Sequence, residues 1–424
     1  DEMKVLTGMD STAMKIHTHQ IPKIGKIKVS LDATIGIAQS RGERPYQEDF
    51  VALSSLTFKH KQLTKTITRA QDYQKLIANN QAKFRKRIVP STSNNDTEDF
   101  QSLFVAVIDG HGGTDSAKYL SNNLSRIITE TDPIIDIPKA IREYRSIGGY
   151  FRRFRGGYLE ELANQIYLTH PQKSSSSTVT TEEKEKEEEL VIGIDERIHL
   201  NYPKSGAVMT SIIMTSLPVE ESPESGNIIY PYFQSTRLSL VAHVGDTVAL
   251  FDVLTENHHP DSRVESDRLR RIGTGLITDS FGESRWGGSL ANSRGLALGV
   301  TGEPDIINKI INGKDWEFLI LVSDGISNML TNQEIIDLCK QIKSPKDASK
   351  KVVEFAESLG GRDNMTAIVI PLYNWNNPDS IDHTVQRREF RLNQIHAQTG
   401  SARQNRIAYH FLQINSIVVL KRKD

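Results

Sequence analysis

The stretch Phe104-Val-Ala-Val-Ile-Asp-Gly-His-Gly-Gly113 decides how the rest of the chain is read. Its first five residues are apolar and rich in β-branched side chains, as in a buried strand. The run stops at Asp109, and the glycines that follow supply a backbone able to turn sharply. A strand of this kind delivers a carboxylate to the edge of a sheet, with His111 just beyond it.

The pattern recurs outward from there. FLILVSD (Phe318–Asp324) ends on an acid and is followed by Gly325, LVAHVGD (Leu240–Asp246) ends on Asp246, and Asp363 stands just before TAIVIPL (Thr366–Leu372). SIIMTSL (Ser211–Leu217) and VALFDVL (Val248–Leu254) read as further strands. Between them lie helical patterns. Thr114–Ile128 carries Ala117, Leu120, Leu124 and Ile127/Ile128 at helical spacing, and Asn332–Gln341 is similar. Pro345–Leu359 opens with Ser344 as cap and Pro345 at the first helical position. Strands and helices both recur throughout without an internal repeat, so a protein of α and β structure is expected.

The chain has 424 residues, with 52 Lys+Arg against 53 Asp+Glu. That balance argues against a dedicated nucleic-acid binder, whose domains are basic overall. The single cysteine, Cys339, excludes an internal disulfide framework. No apolar run approaches the roughly 18 residues of a membrane helix, so no transmembrane segment is expected. Asp1–Lys28 lacks a signal-peptide core, but a chain starting at Asp rather than Met leaves its address undecided.

Several stretches read as insertions. Lys59–Arg87 holds nine Lys/Arg against Asp72 alone, and its apolar residues fall at roughly helical spacing. A helix packed on the rest of the fold with a solvated basic face fits it better than one touching an acidic partner or a membrane surface. Lys173–Glu189 is a Ser/Thr run followed by a Glu/Lys run, and Leu217–Gly226 is a Pro/Ser/Glu loop. YFRRFRGGY (Tyr150–Tyr158) interleaves Arg with aromatics, yet one short patch in a neutral chain does not make an RNA-binding surface. Tyr373–Ser380 is turn-rich, and a basic tail follows to Asp424.

Taken one at a time, each strand-end acid is a turn former, since Asp-Gly is a common turn dipeptide. Taken together, carboxylates converging on one rim would repel one another unless a hard divalent cation sat between them. Magnesium, manganese and calcium all prefer such oxygen ligands.

The ordered set Arg44-Pro-Tyr-Gln-Glu48-Asp49, Asp109-Gly-His-Gly-Gly113, Ser205-Gly206, Val244-Gly-Asp246, Asp324-Gly325 and Asp363-Asn-Met-Thr366 resembles the type 2C protein serine/threonine phosphatases. His258–Gly273 and Leu290–Gly295 look like degenerate forms of two further motifs of that family. The resemblance runs from Ile35 to Leu372. It implies an α+β fold, a four-layer α/β/β/α sandwich with two central, mainly antiparallel sheets flanked by helices. Residues 1–34 and 373–424 then flank one catalytic domain with insertions near 59–100 and 132–200. The resemblance also implies a centre of two magnesium or manganese ions. Asp109 would bridge both ions, with Asp324 and Asp363 completing one site and Glu48 and the Gly110 carbonyl the other. Asp49 would orient waters from behind these ligands, Arg44 would bind phosphate and His111 would protonate the leaving oxygen. A water activated by the two ions would attack phosphorus directly, without a phosphoenzyme.

The chain also departs from the family pattern. Where the family has an acid four residues after Asp324, this chain has Asn328. Asn is neutral and a poorer ligand, which argues against the third ion that Asp246 helps to hold in some members. Asp246 is then a weak metal ligand or a structural residue. His258–Gly299 corresponds to the family's flap but diverges from it. The expected function is phosphatase action on phosphorylated proteins by an intracellular monomer, without nucleic acid. The general look resembles fungal mitochondrial members, which points to mitochondria, with the cytoplasm as the alternative. A scaffold that keeps the fold without turnover is the competing reading, and Asn328 is the main residue on its side.

Overall fold

The computed structural model describes residues 35–59, 99–131, 138–142, 164, 205–216, 236–250, 254–272, 276–278, 284–286, 292–295, 302–312, 315–372 and 374–396, apart from single positions inside some ranges. The basic insert beyond Lys59, the Arg-aromatic patch, both Ser/Glu-rich loops and both termini lie outside the described residues.

Eleven strands are described: β1 (Gly36–Ser40), β2 (Phe50–Lys59), β3 (Asp99–His111), β4 (Gly206–Ser216), β5 (Thr236–Val244), β6 (Val248–Leu250), β7 (Leu276–Thr278), β8 (Ser284–Trp286), β9 (Asp305–Asn312), β10 (Phe318–Val322) and β11 (Met365–Pro371). The longer helices are α1 (Asp115–Glu130), α2 (Arg263–Ile272), α4 (Asn332–Cys339), α5 (Pro345–Ser358) and α6 (Val385–His396), with the single turn α3 (Asp324–Ser327). One sheet runs β1-β11-β10-β6 and the other β2-β3-β4-β5-β9, while β7 and β8 form a separate ribbon. Every pairing is antiparallel.

Period-two alternation builds the layers. Val105 and Val107 of β3 share one core with Leu319 and Leu321 of β10 and Ile368 and Ile370 of β11, so these side chains fill the space between the sheets. Their neighbours Phe104, Ala106 and Ile108 face the other way and pack on Ala117, Leu120 and Leu124 of α1. On the opposite side Ile320, Val322, Ala367 and Val369 pack on α4 and α5. The order helix, sheet, sheet, helix is the expected four-layer sandwich. Each fully buried large aliphatic residue contributes roughly 1.5–3 kcal/mol.

The helix boundaries follow local chemistry. Ser344 Oγ accepts from Asp347 N, with Pro345 at the first helical position. Thr331 and Glu334 form a reciprocal capping box on α4. Cys339, the last residue of this helix, is buried in the core.

The segment after Leu372 holds more than the turns read from sequence. Three turn residues at Asn374–Asn376 lead into α6, which lies against α4. Arg391 Nη1 donates to both oxygens of the buried Glu334 at 2.7 and 2.6 Å, and Nη2 donates to Met329 O at 2.6 Å.

Candidate active site

At one end of the sandwich the apolar inner faces give way to polar rows. Asp109 continues the inner-facing series of Val105 and Val107 on β3, so the same alternation that buries valines delivers its carboxylate. Phe50 pairs with Ile108 across β2 and β3, which brings Asp49 alongside Asp109. In the facing sheet Ser323 follows β10, and its N–H donates to Thr366 O at 3.0 Å. Ser323 Oγ and Thr366 Oγ1 both donate to Asp49 Oδ2 at 2.7 Å. Asp49 thus ties the two sheets together, and its Oδ1 is buried without a hydrogen-bond partner among the described residues.

Close backbone approaches set the remaining acids. The Gly110 N–H donates to Glu48 O at 3.1 Å, and a Cβ on Gly110 would lie only 2.5 Å from that oxygen. Glu48 Oε1 accepts from Gly113 N at 2.7 Å, and Gly112 and Gly113 take φ of 70° and 128°, a turn open to glycine. Ser205 Oγ then accepts from Ser116 N at 3.0 Å and donates to Gly113 O at 3.0 Å, bracing the start of α1 from the residue just before β4. Gly325 is pressed against Asn364, whose carbonyl would lie 2.0 Å from an added Cβ. Asn364 in turn shapes the loop bearing Arg44 and Glu48. Its side chain donates to Arg41 O and Tyr46 O at 3.0 Å and accepts from Glu48 N at 2.6 Å.

One oxygen each from Asp109, Asp246 and Asp324 lies within 4.8 Å of the others. Asp246 therefore sits inside the acidic cluster. Asp363 flanks it, held by Arg44 at 2.7 Å. Asn328 Nδ2 donates to Asp324 Oδ2 at 3.2 Å, so the neutral residue binds its neighbour's carboxylate.

The electrostatics reflect this crowding. Burial pushes the Asp109 carboxyl well above the usual range, and Asp49, Asp324 and Asp246 add to the rise. Asp109 hydrogen-bonds Asp324, which burial also raises. Asp49 and Asp246 are each pushed up to about 7, chiefly by burial. Burial lowers the His111 imidazole, and the Glu48 carboxylate works against that. Partly buried carboxylates at these values are poorly placed as anions without a cation, and every donor present is an oxygen. The donor set fits a hard divalent metal.

Sequence similarity identifies the arrangement. Over 317 residues the chain is 32% identical to Protein phosphatase 2C homolog 4 of Schizosaccharomyces pombe, a match spanning 70% of this chain and 77% of that relative. The chain belongs to the protein phosphatase 2C family. The model of that family, described as Protein phosphatase 2C, matches residues 217–365. Protein phosphatase 1K, mitochondrial, of Xenopus laevis is 34% identical over 148 residues, covering 32% of this chain and 40% of the relative. Among solved structures, a phosphatase from a pathogenic strain of Toxoplasma gondii aligns over 80% of this chain and 95% of its own at 15% identity, with a TM-score of 0.46.

The structure brings together Glu48, Asp49, Asp109, Gly110, Asp324 and Asp363 of the residues expected from the family motifs, with Arg44 on the rim and His111 at the end of β3. Sequence reasoning gave no role to Ser323, Thr366 and Asn364. The last two sit inside the quoted Asp363–Thr366 motif, and Ser323 immediately precedes Asp324, so adjacency was the available signal.

Proposed function

We propose that the acidic cluster holds two divalent cations, magnesium or manganese, and that the chain hydrolyses phosphoserine and phosphothreonine in proteins as a phosphatase of its family. The meeting of Asp109, Asp246 and Asp324 carries this reading, together with the Oδ1 atoms of Asp49 and Asp246, which have no hydrogen-bond partner among the described residues. Asp109, Asp324 and Asp363 would hold one ion, and Asp109, Glu48 and the Gly110 carbonyl the other. Asp246 would add a further carboxylate, while Asn328 leaves any third ion one acid short. When bound, the cations activate a water as nucleophile and offset charge on the phosphoryl group.

The chain's own residues do the rest. Arg44 presents a planar fork suited to two phosphate oxygens, aimed by its contact with Asp363. Asp49, gripped by Ser323 and Thr366, faces the cluster from behind and orients water there. His111 gives a proton to the departing seryl or threonyl oxygen, a contribution of about 10²–10⁴ in rate. Glu48 beside it favours the charged imidazole against burial.

Residues 35–372 form the catalytic domain in this reading, acting as a monomer on phosphorylated proteins, and 373–424 form an extension. We assign the protein to mitochondria, in line with two relatives named as mitochondrial. Imaging of the natural full-length chain checks that assignment. The activity is tested by phosphate release from a phosphothreonine peptide with manganese or magnesium, then with excess chelator. Release that needs the metal and is lost in Asp109→Asn is expected. No metal-dependent release with either ion would make the chain a scaffold instead, and undiminished release by Asp109→Asn would overturn the metal-site assignment.

A further inference from the structure

We propose that His258 is a positioning residue that sets the Gly245–Asp246 turn, and through it the Asp246 carboxylate, for cation binding. The proposal rests on the reading that the acidic cluster binds metal. Gly245 lies at φ 111° with Val208 filling the space of a side chain, since an added Cβ would sit 2.2 Å from Val208 Cβ. The orientation of this turn therefore depends on its backbone hydrogen bonds. Both go to one residue. Gly245 N donates to His258 Nδ1 at 3.0 Å, and His258 N donates to Gly245 O at 2.8 Å.

His258 is itself held on every polar side. A backbone N–H can only donate, so Nδ1 accepts and the ring proton lies on Nε2, which reaches Asp305 Oδ2 at 2.9 Å. The His258 carbonyl accepts from Ser293 N at 2.8 Å. Behind these stand three ion pairs. Arg294 Nη1 meets Asp305 Oδ1 at 2.7 Å, and Arg294 Nε donates to Glu265 Oε1 at 2.9 Å. Glu265 also takes Arg268 at 2.7 Å and the Ser293 hydroxyl. Glu265 and Arg294 are buried, and such a network, once fully paired, fixes geometry. Three segments, α2, residues 292–294 and the start of β9, thereby converge on one imidazole, and the Asn292 side chain also hydrogen-bonds Asp246 itself. That imidazole grips the residue next to Asp246.

A histidine with a purely structural role would stabilise the fold and leave metal binding alone. Two substitutions separate the roles. In His258→Asn the amide oxygen falls near the Nδ1 position and keeps the Gly245 bond while losing Asp305. In His258→Gln the amide reaches Asp305 and the Gly245 acceptor is lost. Mn²⁺ alone is titrated into the full chain by calorimetry and electron paramagnetic resonance, with melting recorded for each variant. His258→Gln should weaken the weakest Mn²⁺ site about 10-fold or more, the scale seen for residues that orient ligands, and His258→Asn less than about 3-fold. Asp246→Asn should match His258→Gln, and the two together should add little. Wild-type Mn²⁺ affinity in a folded His258→Gln overturns the proposal. If that variant does not fold, Asp305→Ala, which frees Nε2, decides: weakened Mn²⁺ binding supports it and unchanged binding overturns it. Asp109→Asn serves as the control. If it too keeps full Mn²⁺ binding, the metal reading itself has failed.

Discussion

Arg44 Nη2 lies 2.7 Å from Asp363 Oδ2, at the rim where both side chains are about half exposed. An exposed pair of this kind contributes about 0–1 kcal/mol, weak enough for an incoming phosphate to compete for the guanidinium. Arg44→Ala should therefore leave the melting temperature nearly unchanged while raising KM for a phosphopeptide about 10- to 100-fold, the equivalent of one or two charge-assisted hydrogen bonds. Arg44→Lys should recover only part of this, because the two-point fork is lost. Steady-state kinetics on a phosphothreonine peptide give the comparison.

Asn328 Nδ2 donates to Asp324 Oδ2 at 3.2 Å. Asn328→Asp replaces that donor by a second carboxylate. The metal-free protein should lose about 1–3 kcal/mol by like-charge crowding and a lost hydrogen bond. Manganese should bind more tightly, since the site gains a charged oxygen ligand. Denaturation with chelator and calorimetric Mn²⁺ titration should move in these opposite directions.

Asp49 and Asp246 keep their protons up to about pH 7, above the ordinary value of 3.8. A raised folded-state value means that the native protein binds protons the unfolded chain has released. That stability is fully present below the unfolded value and is lost as pH rises through about 7. The chelator-treated protein should melt at lower temperature at pH 8 than at pH 5. Manganese should reverse the trend, with protons released on binding, detectable by calorimetry in buffers of different ionisation enthalpy.

Glu334 is fully buried, caps α4 and takes both its charge-assisted bonds from Arg391 Nη1. Removing Arg391 leaves that carboxylate only the longer cationic contact of Arg387 Nε at 3.8 Å. Arg391→Met should cost about 3–5 kcal/mol, read by urea denaturation. Ending the chain at Leu372 should cost at least as much. Glu334→Gln in the Arg391→Met background should return part of the loss.

β3 and β10 were readable because burial on both faces leaves a plain apolar run, and the acid that closes it, Asp109 or Asp324, stands out. β1, β2 and β9 were not, since GIAQS, FVALSSLTFK and DIINKIIN carry polar residues at mixed spacing. Asp109 and Asp246 were visible as strand-end acids, and the structure joins them. The roles of Glu48 and Arg44 came from the ordered motifs, because their placement depends on Asn364, more than 300 residues away. The chain of contacts from Glu265 through Arg294 and Asp305 to His258 had no local signature either. Each link joins segments whose separation in sequence no period encodes. α6 was read as a basic tail because its helix is held by Arg388, Arg391 and their acids rather than by an apolar stripe.

The lone thiol has a practical bearing. Cys339 is buried, and burial pushes its thiol far from ionisation, so it presents no thiolate to an alkylating probe. The native chain is thus a ready background for single-site labelling. A reporter on Tyr46→Cys, at a position 69% exposed and two residues from Arg44, would sense occupancy of the rim without any cysteine having to be removed first.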